Sequence, residues 1–359
     1  MTLGPKVLFI RRVPAWPQPL TSGLYLQVAR VWMRVTKNCR LRGFSVGAPT
    51  SEEKTLMARN LSPKQRTKAR RRLAEAFLSL SPRLMLDEVA NYRNAWSSVS
   101  ENGVSGSSSL TDEPLFLNAV AEALSDERAA ANFRSNLAII ATYDHVSRLQ
   151  GLACLLAIEG RGKAERLKEL VELSNYGTPA TFHYPQIGKF SPTVLRFAKV
   201  ALDLEFFFPE LPQLQVTEIG VGFGGQAVAI NKLFGTNSFT FYDLPEVNVL
   251  ASKSLGSLTE GVKIELRDGR NPAACTSDLV VSNYAFSEMA PKIQESYLQN
   301  VLLPAKRGFM NYNSLSESAL GGYKVSQIAE QLPGSILIPE EPATHPDNMT
   351  LIWGSSRVT

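Results

Sequence analysis

Residues 217–230 read TEIGVGFGGQAVAI and set one acid, Glu218, two positions ahead of a run of four glycines, Gly220, Gly222, Gly224 and Gly225. Two chemistries fit that spacing. Read as Gly220-x-Gly222-x-x-Gly225, the stretch is a dinucleotide-binding fingerprint. Read as Glu218-x-Gly220-x-Gly222-x-Gly224, it is a methyl-donor loop. In either case the glycines make a tight turn and let backbone approach a ligand. A pyrophosphate wants a helix N-terminus clear of acids, whereas a carboxylate at the end of the preceding strand suits a cation. S-adenosylmethionine carries a sulfonium and an ammonium and no phosphate, so Glu218 tips the reading toward this cofactor. Asp243, in FYDLP, ends the next strand 21 residues after Gly222, where an acid can bind the ribose hydroxyls of either cofactor. Asp268, in LRDG, ends a third strand and lies near an adenine, or serves as a turn former before Gly269. Gln226, Leu244 and Asn283 complete the expected donor set.

These residues need a scaffold that brings strand ends together. The runs LQVTEI, SFTFYD, VKIEL, DLVVSN and GFMNYN are short and rich in β-formers, and AVAINKLF, EVNVLASKSL, ESYLQNVLL and YKVSQIAEQL between them read as helices. Such alternation implies a parallel sheet with helices on both faces. The last two runs, SILIPEE and MTLIWG, are joined by PATHPDN, too short for a crossover, so they must pair antiparallel. The expected fold is α/β: a Rossmann-like, seven-stranded class I methyltransferase sheet with its last strand antiparallel, preceded by an α-helical N-terminal region. Residues 112–160 and the run KAERLKELVEL read as helical, and Ser191-Pro192 reads as the cap of the helix TVLRFAKVALDLEFFF. Residues 174–190, mixing aromatics, prolines and glycines, read as an ordered loop. The expected division is a basic, mostly helical region 1–110 with a Ser/Gly-rich loop at 97–109, a helical acceptor-site or cap region 111–210, and a donor-binding domain 211–359.

Together, SPTVLRFAKV, TEIGVGFGGQAVAI, YDLPEVNVL, DLVVSNYAFSEM, GFMNYN and EEPATHPDNMTLIWG resemble a bacterial family of sugar O-methyltransferases, over residues 174–354. That resemblance implies methyl transfer from S-adenosylmethionine to a hydroxyl of a sugar or glycan during saccharide or polysaccharide assembly. It fixes neither sugar nor position.

Methylating a hydroxyl is an in-line displacement that needs alignment of two substrates and a base to take the proton. Three histidines are available. His345, in PATHPDN, follows the sixth strand and should overhang the carboxyl edge of the sheet, which makes it the candidate base, or else it is a loop histidine in solvent. His183, in TFHYP, is a further catalytic candidate that can line the acceptor pocket. His145, in ATYDHVSRLQ, falls in a helical run and reads as structural. Glu288 orients a histidine, accepts the proton itself or binds a sugar hydroxyl; equally, it is an acid placed in a first helical turn by the helix dipole. Tyr284, Ser287 and Asn313 leave the same edge and can meet a sugar. Tyr176, Phe182 and Tyr184 stack on a sugar face or pack as core. Glu288, Glu340, Glu341 and Asp347 have no spacing that demands a metal, and none is expected. A nicotinamide-dependent oxidoreductase and a non-catalytic methyltransferase-like scaffold are the rival readings.

The net charge of +5 hides an asymmetry: residues 1–72 carry 16 Lys/Arg against two acids, and the remainder is acidic. Such a segment can touch an anionic membrane surface, or serve as a solvated arm or helix face. No nucleic-acid motif accompanies it, so no nucleic-acid partner is expected. Residues 21–42 can form a basic amphipathic helix, and Ser62-Pro63 opens another that Ser81-Pro82 closes. Three distant cysteines, Cys39, Cys154 and Cys275, exclude a disulfide framework. No apolar run reaches the roughly 18 residues of a bilayer span, and no signal-peptide pattern opens the chain. The expected location is cytoplasmic, with peripheral contact at the inner membrane face. An oligomer is compatible with this reading.

Overall fold

The computed structural model describes Leu8–Phe9 and residues 114–357, apart from positions 185, 315–320 and 346. The expectations for the basic segment, its two helices, the Ser/Gly-rich loop and Cys39 lie outside the described residues.

Seven strands follow one another in the order the sequence implies: β1 (Val216–Ile219), β2 (Ser238–Asp243), β3 (Lys263–Asp268), β4 (Leu279–Asn283), β5 (Gly308–Tyr312), β6 (Ile336–Pro339) and β7 (Met349–Trp353). Across the sheet they run β6-β7-β5-β4-β1-β2-β3. β1, β2, β3, β4 and β5 are parallel, and β7 is antiparallel to both β5 and β6. This is the class I methyltransferase fold. Strand order reverses between β1 and β4, and in open α/β sheets that switch point opens a crevice at the carboxyl ends of the strands. One addition escaped the sequence reading: Leu8–Phe9 pairs parallel with β6 and makes an eighth strand at that edge.

β1, β4 and β5 are almost wholly buried, as strands covered on both faces must be, whereas β3 at the far edge is largely exposed and carries four charged residues of six. Alternate side chains feed two cores. Val216, Phe241, Val281 and Phe309 face one, and Ile219, Tyr242, Val280 and Met310 face the other. The first core lies under α4 (Pro192–Phe207), α5 (Gly225–Phe234) and α6 (Pro245–Leu258), and the second under α7 (Pro291–Tyr297) and α8 (Val325–Gln331). Ahead of α4 stand α1 (Pro114–Ser125), α2 (Leu137–Thr142) and α3 (Arg148–Gly160). Their Phe116, Ile139 and Leu155 join the same core as β1, so the helical segment is packed onto the sheet.

Local chemistry departs from expectation in three places. The run KAERLKELVEL is a 3₁₀ stretch, Ala164–Leu170, followed by a short α-helix, Val171–Asn175. Residues 182–190 form a tight antiparallel hairpin pairing Phe182 with Phe190. Ser191 precedes α4 as read, but its side chain makes no cap; its Oγ accepts a hydrogen bond from Arg134 Nη2 at 3.1 Å.

Candidate active site

The glycine loop leaves β1 through three left-handed residues, Gly220 (φ 76°), Gly222 (φ 54°) and Gly224 (φ 81°), and Gly224 opens α5. A Cβ on Gly220 would stand 2.0 Å from the Ala285 Cβ, so the loop lies directly against the turn that follows β4. The Gly222 N–H donates to Asp243 Oδ2 at 3.1 Å, and the Leu244 N–H donates to Oδ1 at 2.8 Å. Asp243 therefore ties the loop to the end of β2. Its sheet neighbour Asp268 accepts the Arg270 backbone N–H at 3.0 Å and pairs with its guanidinium at 2.8 Å, which holds its carboxyl below the usual range. That is the turn-forming role, one of the two readings the sequence offers for Asp268.

Glu218 is 3% exposed. It shares its sheet face with Phe241 and Val281, and its Oε2 has no hydrogen-bond partner among the described residues. Burial in this apolar setting, with the Asp243 charge nearby, raises its proton affinity well above that of an ordinary glutamate. A buried carboxylate oxygen without a donor is costly unless a ligand supplies one.

Asn283, at the end of β4, sits in a directed chain of hydrogen bonds. Thr350 Oγ1 donates to Asn311 Oδ1 (2.8 Å), Asn311 Nδ2 to Asn283 Oδ1 (2.9 Å), Asn283 Nδ2 to Gln226 Oε1 (3.4 Å), and Gln226 Nε2 to the Phe197 carbonyl (3.1 Å). This chain links β7, β5 and β4 to the first turn of α5 and to α4. Asn283 and Gln226 thus hold the switch point together.

Past Asn283 the backbone does something unusual. Tyr284 adopts φ 70°, a conformation bulky residues avoid at a cost of about 1–3 kcal/mol. Its hydroxyl donates to Glu340, its carbonyl accepts from Ser287 Oγ, and its N–H donates to the Asn311 carbonyl at 2.9 Å. Glu340 also gathers Thr344 N and Oγ1 and Asn348 Nδ2, at 2.9, 2.6 and 3.1 Å. The strained turn and the loop between β6 and β7 are therefore one hydrogen-bonded unit. Ser287 is buried, and its Oγ also accepts the Asn313 N–H at 3.1 Å. Its hydroxyl is committed to the turn, which corrects its reading as a sugar-binding residue.

Glu288 accepts a hydrogen bond from Asn313 Nδ2 at 3.3 Å. Burial pushes its carboxyl up to about 6, opposed by Asn313 and by Arg196. Because the folded value lies above that of an exposed glutamate, its contribution to stability is full at lower pH and is lost as pH rises through about 6. Glu288→Gln is accordingly expected to gain stability relative to the parent in urea titrations above that pH and not below it. Equal differences on both sides would show the carboxyl to be unperturbed. His345 stands on the expected loop, with Nδ1 3.2 Å from Ser314 Oγ and 3.9 Å from the exposed Asp347 carboxylate. The sequence neighbours Asn313 and Ser314 thus join Glu288 and His345 to one edge.

Other candidates fall elsewhere. Tyr184 is 2% exposed and packs beneath α3, its hydroxyl donating to the Arg148 carbonyl at 3.2 Å, so it is core and not a sugar platform. Tyr176 packs edge-on against Phe133. Phe182 is half-buried against the first core, and the His183 ring is exposed on the hairpin.

Three residues of the crevice were not among the sequence candidates. Tyr143 lies over the loop, with ring carbons 3.4 Å from where a Gly222 Cβ would be, and its buried hydroxyl has no partner among the described residues. His145 lies in the break between α2 and α3 and not within a helix; it is exposed at the surface, and partial desolvation by its neighbours together with the Arg196 charge lowers its pKa to about 4. Arg196, on α4, stands 5.6 Å from the centre of the Tyr284 ring. One signal for the break was legible: Ser147 and Gln150 form a capping box that starts α3 at Arg148.

No family model matches the chain, and no curated protein matches it by sequence. Solved structures with partial likeness include methyltransferases. Magnesium protoporphyrin IX methyltransferase from Synechocystis, solved with bound SAM, is 13% identical over 44% of this chain and 81% of that chain, with a TM-score of 0.34. Mitomycin 7-O-methyltransferase MmcR is 14% identical over 67% of this chain and 68% of that chain, with a TM-score of 0.36. A ribosomal protein L11 methylase from Lactobacillus delbrueckii subsp. bulgaricus is 16% identical over 45% and 78%, with a TM-score of 0.32. Likeness at this level carries no weight for substrate or cofactor; the fold rests on strand order and register. Among the described residues no helix is long and apolar enough to cross a membrane, and no group of acids, histidines and cysteines could hold a metal.

Proposed function

We propose that the chain binds S-adenosylmethionine at the switch point and transfers its methyl group to a hydroxyl of a sugar or glycan. The observation that carries this reading is the Glu218 Oε2: a buried, unpartnered acceptor at the carboxyl end of β1, beside Asp243 and beneath the glycine loop. An ammonium satisfies it, and a pyrophosphate does not. The residues present fit the donor in a second respect, since the Tyr143 hydroxyl is also buried beside the loop without a partner. Glu218 at the loop and the reversed β7 count against a nicotinamide-dependent oxidoreductase.

When bound, the donor supplies an electrophilic methyl group. The loop from Gly220 to Gly224 gives close backbone approach, and Asp243, already accepting from Gly222 and Leu244, can also accept from ribose hydroxyls. Glu288 is the proposed base. It lies at the carboxyl edge beyond Asn283, and a carboxyl that titrates near 6 can take a hydroxyl proton at neutral pH. His345, held at the same edge by Ser314, is the proposed second polar contact for the acceptor. The support for a sugar acceptor is the family resemblance together with the polar side chains of this edge.

A cation bound beside Glu218 lowers its raised proton affinity and expels a proton. Heats of donor binding in two buffers of different protonation enthalpy are expected to differ, and to coincide in Glu218→Gln. Coinciding heats in the parent would remove the ammonium from this position. Activity is tested with methyl-labelled donor and a panel of saccharides. The expected result is label in a product stable to alkali, as an ether is and an ester is not. Glu288→Gln should lose about 10²–10⁴-fold in turnover and flatten the acidic limb of the pH profile. Donor binding with no label in any saccharide would instead favour the non-catalytic scaffold.

A further inference from the structure

Arg196 has no use in the chemistry above, and its surroundings are peculiar for an arginine. It is half-buried on α4, yet among the described residues its guanidinium makes no hydrogen bond and no ion pair. Its close contacts are two ring faces, Phe197 at 6.0 Å and Tyr284 at 5.6 Å. An arginine carries five N–H donors and stays charged, so a half-buried guanidinium flanked only by ring faces keeps donors open for an anion.

The nearby carboxylates do not complete it. Glu340 is held by Tyr284, Thr344 and Asn348. Glu288 senses the Arg196 charge but accepts its hydrogen bond from Asn313. The other groups that feel Arg196 are His145, Tyr284 and the buried Cys154. Of the loop acids, Glu218 feels the Asp243 charge and not that of Arg196, whereas Tyr284 and Glu288, at the acceptor edge, lie beside Arg196. Arg196 therefore stands on the acceptor side of the crevice. Its position is fixed: the next residue's carbonyl accepts from Gln226 at 3.1 Å, and the Phe197 ring closes on Gly225, where a Cβ would lie 2.4 Å away.

We propose that Arg196 receives an anionic group of the methyl acceptor, a carboxylate or a phosphate, so that the substrate is an acidic saccharide and not a neutral one. This rests on the donor reading above. A planar guanidinium backed by the Tyr284 ring presents paired N–H donors to either anion. The anion would sit beyond Tyr284 and place a neighbouring hydroxyl toward Glu288.

The test uses the full chain saturated with S-adenosylhomocysteine and three probes titrated calorimetrically: D-glucuronate, glucose 6-phosphate and methyl glucoside. At least one anionic sugar is expected to bind about tenfold or more tightly than methyl glucoside. The anion that binds tells carboxylate from phosphate. That preference should vanish in Arg196→Met and survive in part in Arg196→Lys, with S-adenosylhomocysteine affinity unchanged in both. Retained affinity for that compound also shows that each variant is folded. Equal binding of all three sugars, binding of none, or a preference that persists in Arg196→Met would overturn the proposal. So would a loss of S-adenosylhomocysteine affinity in Arg196→Met, which would assign the guanidinium to the donor's own carboxylate. A parent chain that takes no S-adenosylhomocysteine would fail earlier, at the donor reading itself.

Discussion

Arg134→Met is expected to destabilise the protein by about 3–5 kcal/mol, the range for breaking a buried ion pair and stranding its partner. Arg134 is 0% exposed, and all five of its N–H groups are committed. Nε and Nη2 grip the Asp144 carboxylate, both at 3.0 Å; Nη1 donates to the Leu173 and Tyr176 carbonyls, both at 3.1 Å; Nη2 also reaches Ser191 Oγ. The guanidinium stacks 4.5 Å from the Phe223 ring, inside the glycine loop. One side chain thus ties the start of α4, the 173–176 turn and the 143–145 segment to the donor crevice. Methionine fills the volume but leaves Asp144 charged, buried and unpaired, and releases Tyr143 from above Gly222. Urea unfolding measures the loss. Removing the stranded charge as well, in Arg134→Met with Asp144→Asn, should recover part of it. A loss below 1 kcal/mol in the single variant would mean that the network is ornamental.

The second large effect belongs to Gly220→Ala. Two costs add at this position. A left-handed φ of 76° costs a residue with a Cβ about 1 kcal/mol or more, and the new methyl would meet the Ala285 Cβ at 2.0 Å, an overlap worth a further ~1–3 kcal/mol. The two costs can be separated. Ala285→Gly removes the colliding atom, and the next atom, the Ala285 Cα, is 3.5 Å away. The pair Gly220→Ala with Ala285→Gly should therefore regain the steric part and keep the backbone part. Thermal melts of the two single variants and the pair measure this, and strict additivity would contradict the contact. Donor affinity should fall in Gly220→Ala and return incompletely in the pair, because the loop and the turn after β4 shape the crevice together.

The parts of this protein that were legible in its sequence are those governed by local rules. Alternating strand and helix runs, glycines at left-handed positions and a connection too short for a crossover sufficed for the sheet and its reversed strand. The placement of Glu218, Asp243 and Asn283 along one edge was legible because strand ends in such a sheet share that edge. What stayed hidden depends on partners far apart in the chain. Arg134 finds acceptors 10 to 57 residues away, and nothing in its neighbourhood, NFRSN, announces that. Ser191 looked like a cap because serine before proline often is one, but Arg134 outcompetes the helix for its hydroxyl. Tyr184 and Ser287 carry the right chemistry for a sugar and are spent on packing and on a turn. His145 was hidden by an apolar periodicity that continues across the break at Tyr143, and Arg196 by a helix whose other face is core. The pairing of Leu8–Phe9 with β6 joins segments more than 300 residues apart, a distance no local pattern bridges.

The most direct measurement is calorimetric titration of the full chain with S-adenosylmethionine and, separately, with NAD. The expected result is saturable heat with S-adenosylmethionine, strongly weakened in Asp243→Ala, and no heat with NAD. Saturable binding of NAD, or no response to S-adenosylmethionine, would contradict the assignment of the crevice to a cationic sulfur donor.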